Sequence, residues 1–213
     1  MLQGMPETMT VPPAADLTLA RLVGLRLCHD LGGVVGTIAN ALDMMEGVGG
    51  EAATLAQDAA DVLRRRLILW RALLGGQGEA TLGSTLALLD GQLSGGRASA
   101  DTGGLDPALV LAEDMIPVVL AAMLLGGESL PRGGRVCLAG EPGREFAVWP
   151  DGQRAAWPPG LVRAIAGEMP PDPMGREVMV VWLCTVAAAA GVRLSLAVPP
   201  GQAAGPLMLT MTG

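Results

Sequence analysis

The chain has no lysine and no tyrosine, and only one histidine, one asparagine and one phenylalanine. Each scarcity removes a class of chemistry. All 14 basic residues are arginine, which excludes Schiff-base lysines, pyridoxal phosphate attachment and the lysine of a phosphate-binding loop. A single imidazole excludes multi-histidine metal centres and the phosphohydrolases built on them. Aromatics are 2% of the chain and the net charge is −7, so stacking platforms and cationic surface for a nucleic acid are both lacking. An acidic balance suits a protein partner with a basic docking face. Cys28, Cys137 and Cys184 are scattered, with no C-x-x-C pair, which points to reduced thiols in a reducing compartment. The N-terminus shows no basic region followed by an apolar run. The longest apolar stretch, Val178 to Val192, is too short to span a bilayer. A soluble, cytoplasmic chain without membrane association is expected.

What is present is aliphatic. Half of the 213 residues are hydrophobic, enough for a core of Leu, Val, Ala and Met in one or two domains. Residues 1–14 hold Pro6, Pro12 and Pro13 and little periodicity, so a flexible tail is expected. Asp16 or Thr18 can cap a helix running to about Met45. Gly47-Val48-Gly49-Gly50 then makes a hairpin turn, and a second helix runs from about Glu51 to Leu74. Residues 15–76 thus form a helical hairpin with an incomplete core. Pairing two hairpins into a four-helix bundle completes it, so a homodimer is expected.

Residues 77–213 read as α/β. Helices are expected over 81–93, 107–125 (kinked at Pro117), 161–166 and 176–190. Strands are expected over 97–102, 135–139, 145–149, 192–198 and 206–211, the last two joined by Pro199-Pro200-Gly201. The fold class is α+β: a helical hairpin followed by an α/β sandwich.

The one histidine lies in Arg26-Leu27-Cys28-His29-Asp30-Leu31-Gly32-Gly33. At about 100° per residue, Leu27, Leu31, Val34, Val35, Ile38, Leu42 and Met45 gather on one face. His29 projects from the other, beside Leu22, Leu25, Gly32, Gly33, Gly36 and Asn40. Glycine inside a helix costs roughly 1 kcal/mol relative to alanine, so these glycines read as clearing space for a molecule that approaches the ring. Leu22 and Leu25 are the expected docking anchors. Asp30 either orients the imidazole or Arg26, or is a solvated charge. Arg26, one turn before His29, either neutralises phosphoryl oxygens or covers the helix surface.

A helix bearing Cys-His-Asp, a helix hairpin and this α/β order resemble a sensor histidine kinase core. More closely, the chain resembles the ChpT-like bacterial histidine phosphotransferases. The likeness is carried by Arg26 to Asp30, Arg64 to Gly75 and Gly175 to Val192, and it covers residues 15–212. It implies a dimer with a central bundle and degenerate kinase ATPase-like domains outside. It also implies that His29 takes a phosphoryl group from one receiver aspartate and passes it to another, the partners being receivers of a hybrid histidine kinase and of response regulators. Gly33 departs from the family, whose members often carry a small polar residue there, so no side-chain role carries over to that position.

Missing residues favour this over ATP chemistry. A kinase of this fold needs a helix asparagine for Mg²⁺-ATP, yet Asn40 lies on the histidine helix. Asp151-Gly152-Gln153-Arg154-Ala155 is at most a remnant of an adenine motif. Neutral imidazole offers one nitrogen, Nε2, for in-line attack on an aspartyl phosphate. The receiver brings Mg²⁺, so no cofactor or metal is expected on this chain. A hydrolase is disfavoured, since no Gly-x-Ser-x-Gly occurs and Cys28 diverges from His29. The other readings are a non-catalytic dimeric scaffold and a residual sensor-kinase core that binds response regulators.

Overall fold

The computed structural model describes residues 14–44, 49–76, 78–168, 173, 175–197 and 204–212. Two long helices, α1 (Ala14–Met44) and α2 (Gly49–Leu73), pack along each other as the expected hairpin. Helix α1 is already running at Ala14, so neither Asp16 nor Thr18 begins it. Gly49 and Gly50 open α2 instead of lying in a turn. Residues 1–13, Met45, Gly47, Val48 and the Pro199–Gly201 turn fall outside the described residues.

The α/β part follows in the order β1 (Ala80–Thr81), α3 (Leu82–Ala87), β2 (Ala98–Asp101), β3 (Val110–Leu111), α4 (Met115–Glu128), β4 (Gly134–Glu141), β5 (Glu145–Asp151), α5 (Pro159–Ile165), α6 (Arg176–Ala189), β6 (Val192–Leu196) and β7 (Leu207–Met211). A 3-10 turn, Leu93–Gly96, precedes β2. The main sheet has the order β2-β4-β5-β7-β6, parallel between β2 and β4 and antiparallel elsewhere. Alternation sets its two faces: Val136, Leu138, Phe146, Val148, Leu207 and Leu209 are buried beneath the helices, whereas Arg135 and Arg193 are exposed.

Helix α4 is the buried centre of this layer, with Val118 through Met123 fully covered. It approaches β4 closely because Gly126 has no side chain; a Cβ there would lie 2.6 Å from Val136 Cγ1. The expected helix over 107–125 starts late. Val110 and Leu111 instead pair with β1. Pro117 consequently falls in the first turn, where its missing N–H breaks no intrahelical bond, and the expected mid-helix kink does not arise. The helix expected over 81–93 is also shorter. Thr81 caps it by accepting the Ser84 N–H at 3.2 Å, and the run stops at Ala87.

By length and composition, α1 over Leu17–Met44 could cross a bilayer, while the apolar stretch Val178–Val192 divides between α6 and β6. Here the inner edge of α1 is spent on packing. Val23 belongs to one continuous core with Leu69, Trp70 and Leu73 of α2 and with α4, α6 and the sheet. The base of the hairpin is therefore seated on the α/β layer.

Candidate functional site

His29 stands on the outward side of α1 with 85% of its side chain exposed. Along the inward edge, Val23, Val34 and Ala41 are buried. The broad apolar face expected from the sequence is in fact two stripes. Leu27 and Ile38 lie half-buried toward the core, while Val35 and Leu42 are 50% and 53% exposed. Of the expected anchors, Leu25 is 57% exposed. Leu22, expected to be exposed, is half-buried and packs against the core while still lining a groove beside His29. Gly32, Gly33, Gly36 and Asn40 are exposed. A Cβ at any of these three glycines would meet nothing within 4 Å.

Behind the ring lies a set of ion pairs. Asp30 Oδ1 is 3.4 Å from His29 Nδ1. Arg26 Nε donates to both Asp30 oxygens at 3.1 Å. The same guanidinium donates through Nη2 to Glu128 Oε1 at 2.6 Å and through Nη1 to the Gly175 carbonyl at 3.1 Å. Burial pulls the Arg26 pKa down, but the Glu128 and Asp30 carboxylates outweigh it and the net shift is upward. Arg26 is thus charged at any working pH, and three of its N–H directions are taken. Gly175 has φ +57° and ψ −115°, a conformation open to glycine and strained for other residues. From the second helix, Arg66 donates to the Asp30 backbone carbonyl.

Glu128 and Arg66 escaped the sequence reading. Glu128 is 102 residues from its partner. Its one local signal is an acidic residue closing a helix, where the macrodipole disfavours negative charge by about 0.3–1 kcal/mol. Arg66 sits in an arginine triplet, and its neighbours Arg64 and Arg65 are exposed.

His29 borders two open grooves. One, of about 540 Å³, runs toward the α/β layer past Leu22, Leu25, Arg97, Pro131 and Val178. The other, of about 770 Å³, runs along the hairpin past Gly33, Thr37, Leu55, Val62 and Arg66. Among the described residues no group of three or more His, Cys, Asp or Glu side chains is gathered for a metal ion. The arrangement offers an accessible imidazole nitrogen, a carboxylate at the other ring nitrogen, and open helix surface on either side.

The fold is thus a helical hairpin seated on an α/β layer, with its lone imidazole exposed on the hairpin, and known proteins share this architecture. Residues 82–202 match the family model described as the histidine phosphotransferase C-terminal domain, and the chain belongs to that family. Protein phosphotransferase ChpT of Brucella abortus (strain 2308) is 24% identical over 190 residues, 84% of this chain and 90% of that protein. A solved structure described as a bacterial phosphotransferase superposes with TM-score 0.72 at 21% identity, covering 94% of this chain and 97% of that one.

Proposed function

We propose that this chain carries phosphoryl groups between receiver-domain aspartates through His29, as one step of a two-component phosphorelay. The observation that carries this reading is the lone imidazole, exposed between two grooves with Asp30 at its Nδ1. A proton held on Nδ1 leaves the Nε2 lone pair facing outward. That pair forms the N–P bond as the P–O bond to the donor aspartate breaks, and the electrons leave on the carboxylate. The reverse step, onto a second receiver, regenerates the imidazole. Mg²⁺ comes with the receiver, whose own acidic pocket holds it.

With Arg26 committed to three partners, Arg66 is the cation best placed in the groove to meet phosphoryl oxygens. Leu25 supplies apolar contact, and Gly32, Gly33, Gly36 and Asn40 leave room for an approaching receiver helix. Helix α4 is built almost wholly of buried apolar residues and carries no asparagine, which supports a reading without ATP. Leu17, Val35 and Leu42 of α1 and Leu67 of α2 are exposed on the hairpin. We take that stripe as the seam of a homodimeric four-helix bundle. The setting is cytoplasmic, where such receivers work.

The test is label transfer. Incubated with a phosphorylated receiver and no ATP, the wild-type chain takes up acid-labile, base-stable label. His29→Gln takes up none while keeping its fold. Label persisting in that variant, or absent from wild type, contradicts the reading.

A further inference from the structure

Glu128 ends α4 against the dipole of its own helix, and its carboxylate is turned across to the hairpin, onto Arg26 at 2.6 Å. The ion pair is shielded, with 23% of the Arg26 side chain and 19% of that of Glu128 exposed. A guanidinium is a rigid plane, so holding two of its nitrogens fixes the direction of the third. In Arg26 the two held nitrogens are Nη2, on Glu128, and Nη1, on the Gly175 carbonyl. Both anchors belong to the α/β layer. The remaining nitrogen, Nε, points at both oxygens of Asp30. An aspartate on an open helix surface samples several χ1 wells, and the arginine fork selects the one that sets Oδ1 beside His29 Nδ1.

We propose that Glu128 is a positioning residue for His29, acting across the interface through Arg26 and Asp30. The α/β layer then has work beyond packing. Its seating on the hairpin fixes which ring nitrogen carries the proton, and so which one is presented to phosphorus. A neutral imidazole in water favours the proton on Nε2. The Glu128–Arg26–Asp30 chain reverses that preference. The inference rests on the phosphotransfer reading only for its kinetic consequence, since the state of the ring can be observed without any phosphoryl donor.

One histidine per chain makes the test clean. The full-length chain is labelled with ¹⁵N-histidine and the tautomer balance is read by NMR at a pH where the ring is neutral. Wild type is expected to show mainly Nδ1–H, and Asp30→Asn to swing the balance to Nε2–H. Glu128→Gln is expected to move it the same way at unchanged melting temperature. Arg26→Lys, which keeps the charge but loses the planar fork, is expected to match Glu128→Gln and serves if that variant folds poorly. Transfer from a phosphorylated receiver is expected to slow about tenfold in both, as for a reacting group held slightly out of place, with receiver affinity unchanged. A wild-type ring mainly in the Nε2–H form overturns the proposal, as does a balance that ignores both substitutions. If the ring responds to Glu128 while wild type takes no label, the positioning stands and the phosphotransfer reading falls.

Discussion

At the scale of single residues, the site is defined as much by missing side chains as by present ones. Gly32, Gly33 and Gly36 lie on open helix surface where a Cβ would touch none of the described residues, so nothing among those residues requires them to be glycine. Their cost to the helix, about 1 kcal/mol each, fits the proposal that a receiver approaches His29 over this face. Gly36→Arg is therefore expected to raise the melting temperature of the chain, or leave it unchanged, while blocking label transfer from a phosphorylated receiver. Calorimetry and the transfer assay read the two effects separately. Transfer at the wild-type rate would show that no partner passes over this face. Arg26 teaches the opposite lesson. Its sequence position allowed a role on phosphoryl oxygens, but its donors are engaged by Asp30, Glu128 and Gly175.

At the scale of elements, the exposed stripe on the hairpin makes the strongest demand. Leu17, Val35 and Leu42 recur at helical spacing on α1, turned away from the buried edge of Val23, Val34 and Ala41. Leu42→Asp is expected to convert a dimer to a monomer in analytical ultracentrifugation without loss of helix content, and a wild-type chain that sediments as a monomer contradicts the bundle. The hairpin, β4, β5 and α6 were legible in the sequence because period and punctuation agree there. Gly191 ends α6, and alternation across Gly140 to Gly143 marks the β4–β5 hairpin. The start of α4 was not legible. Residues 107–125 are apolar throughout, and only pairing with Ala80 and Thr81 turns Val110 and Leu111 into a strand. On α1, leucines and valines on two adjacent stripes merge into one broad face by periodicity alone. Only the partner helix divides them. The ion pair behind His29 was out of reach for another reason: it joins residues 102 apart, and no local pattern encodes it.

At the scale of the whole molecule, hairpin and α/β layer share one core through Val23, Trp70 and α4, so the reactive helix and the layer behind it are coupled in stability. Two thiols report on folding of the α/β layer, Cys184 from its core and Cys137 from the other face of β4. Burial pushes the Cys137 thiol up, aided by the Asp101 and Asp151 carboxylates, and burial alone does so for Cys184. The folded chain thus holds these protons more tightly than the unfolded chain. Their contribution is complete below the ordinary thiol range and is lost as pH rises through it toward the raised values. Urea midpoints are expected to fall above about pH 8.5, and to fall less steeply in Cys184→Ala; a flat profile contradicts the assignment. The central claim, that His29 passes phosphoryl groups onward and is not a terminal acceptor, is tested most directly in a reconstituted relay. A labelled donor receiver and an unlabelled acceptor receiver are mixed with a trace of this chain and no ATP, and label on the acceptor is counted per molecule of chain. The account predicts many transfers per chain, all lost in His29→Gln. Label that stops on the chain, or reaches the acceptor equally well without it, would contradict it.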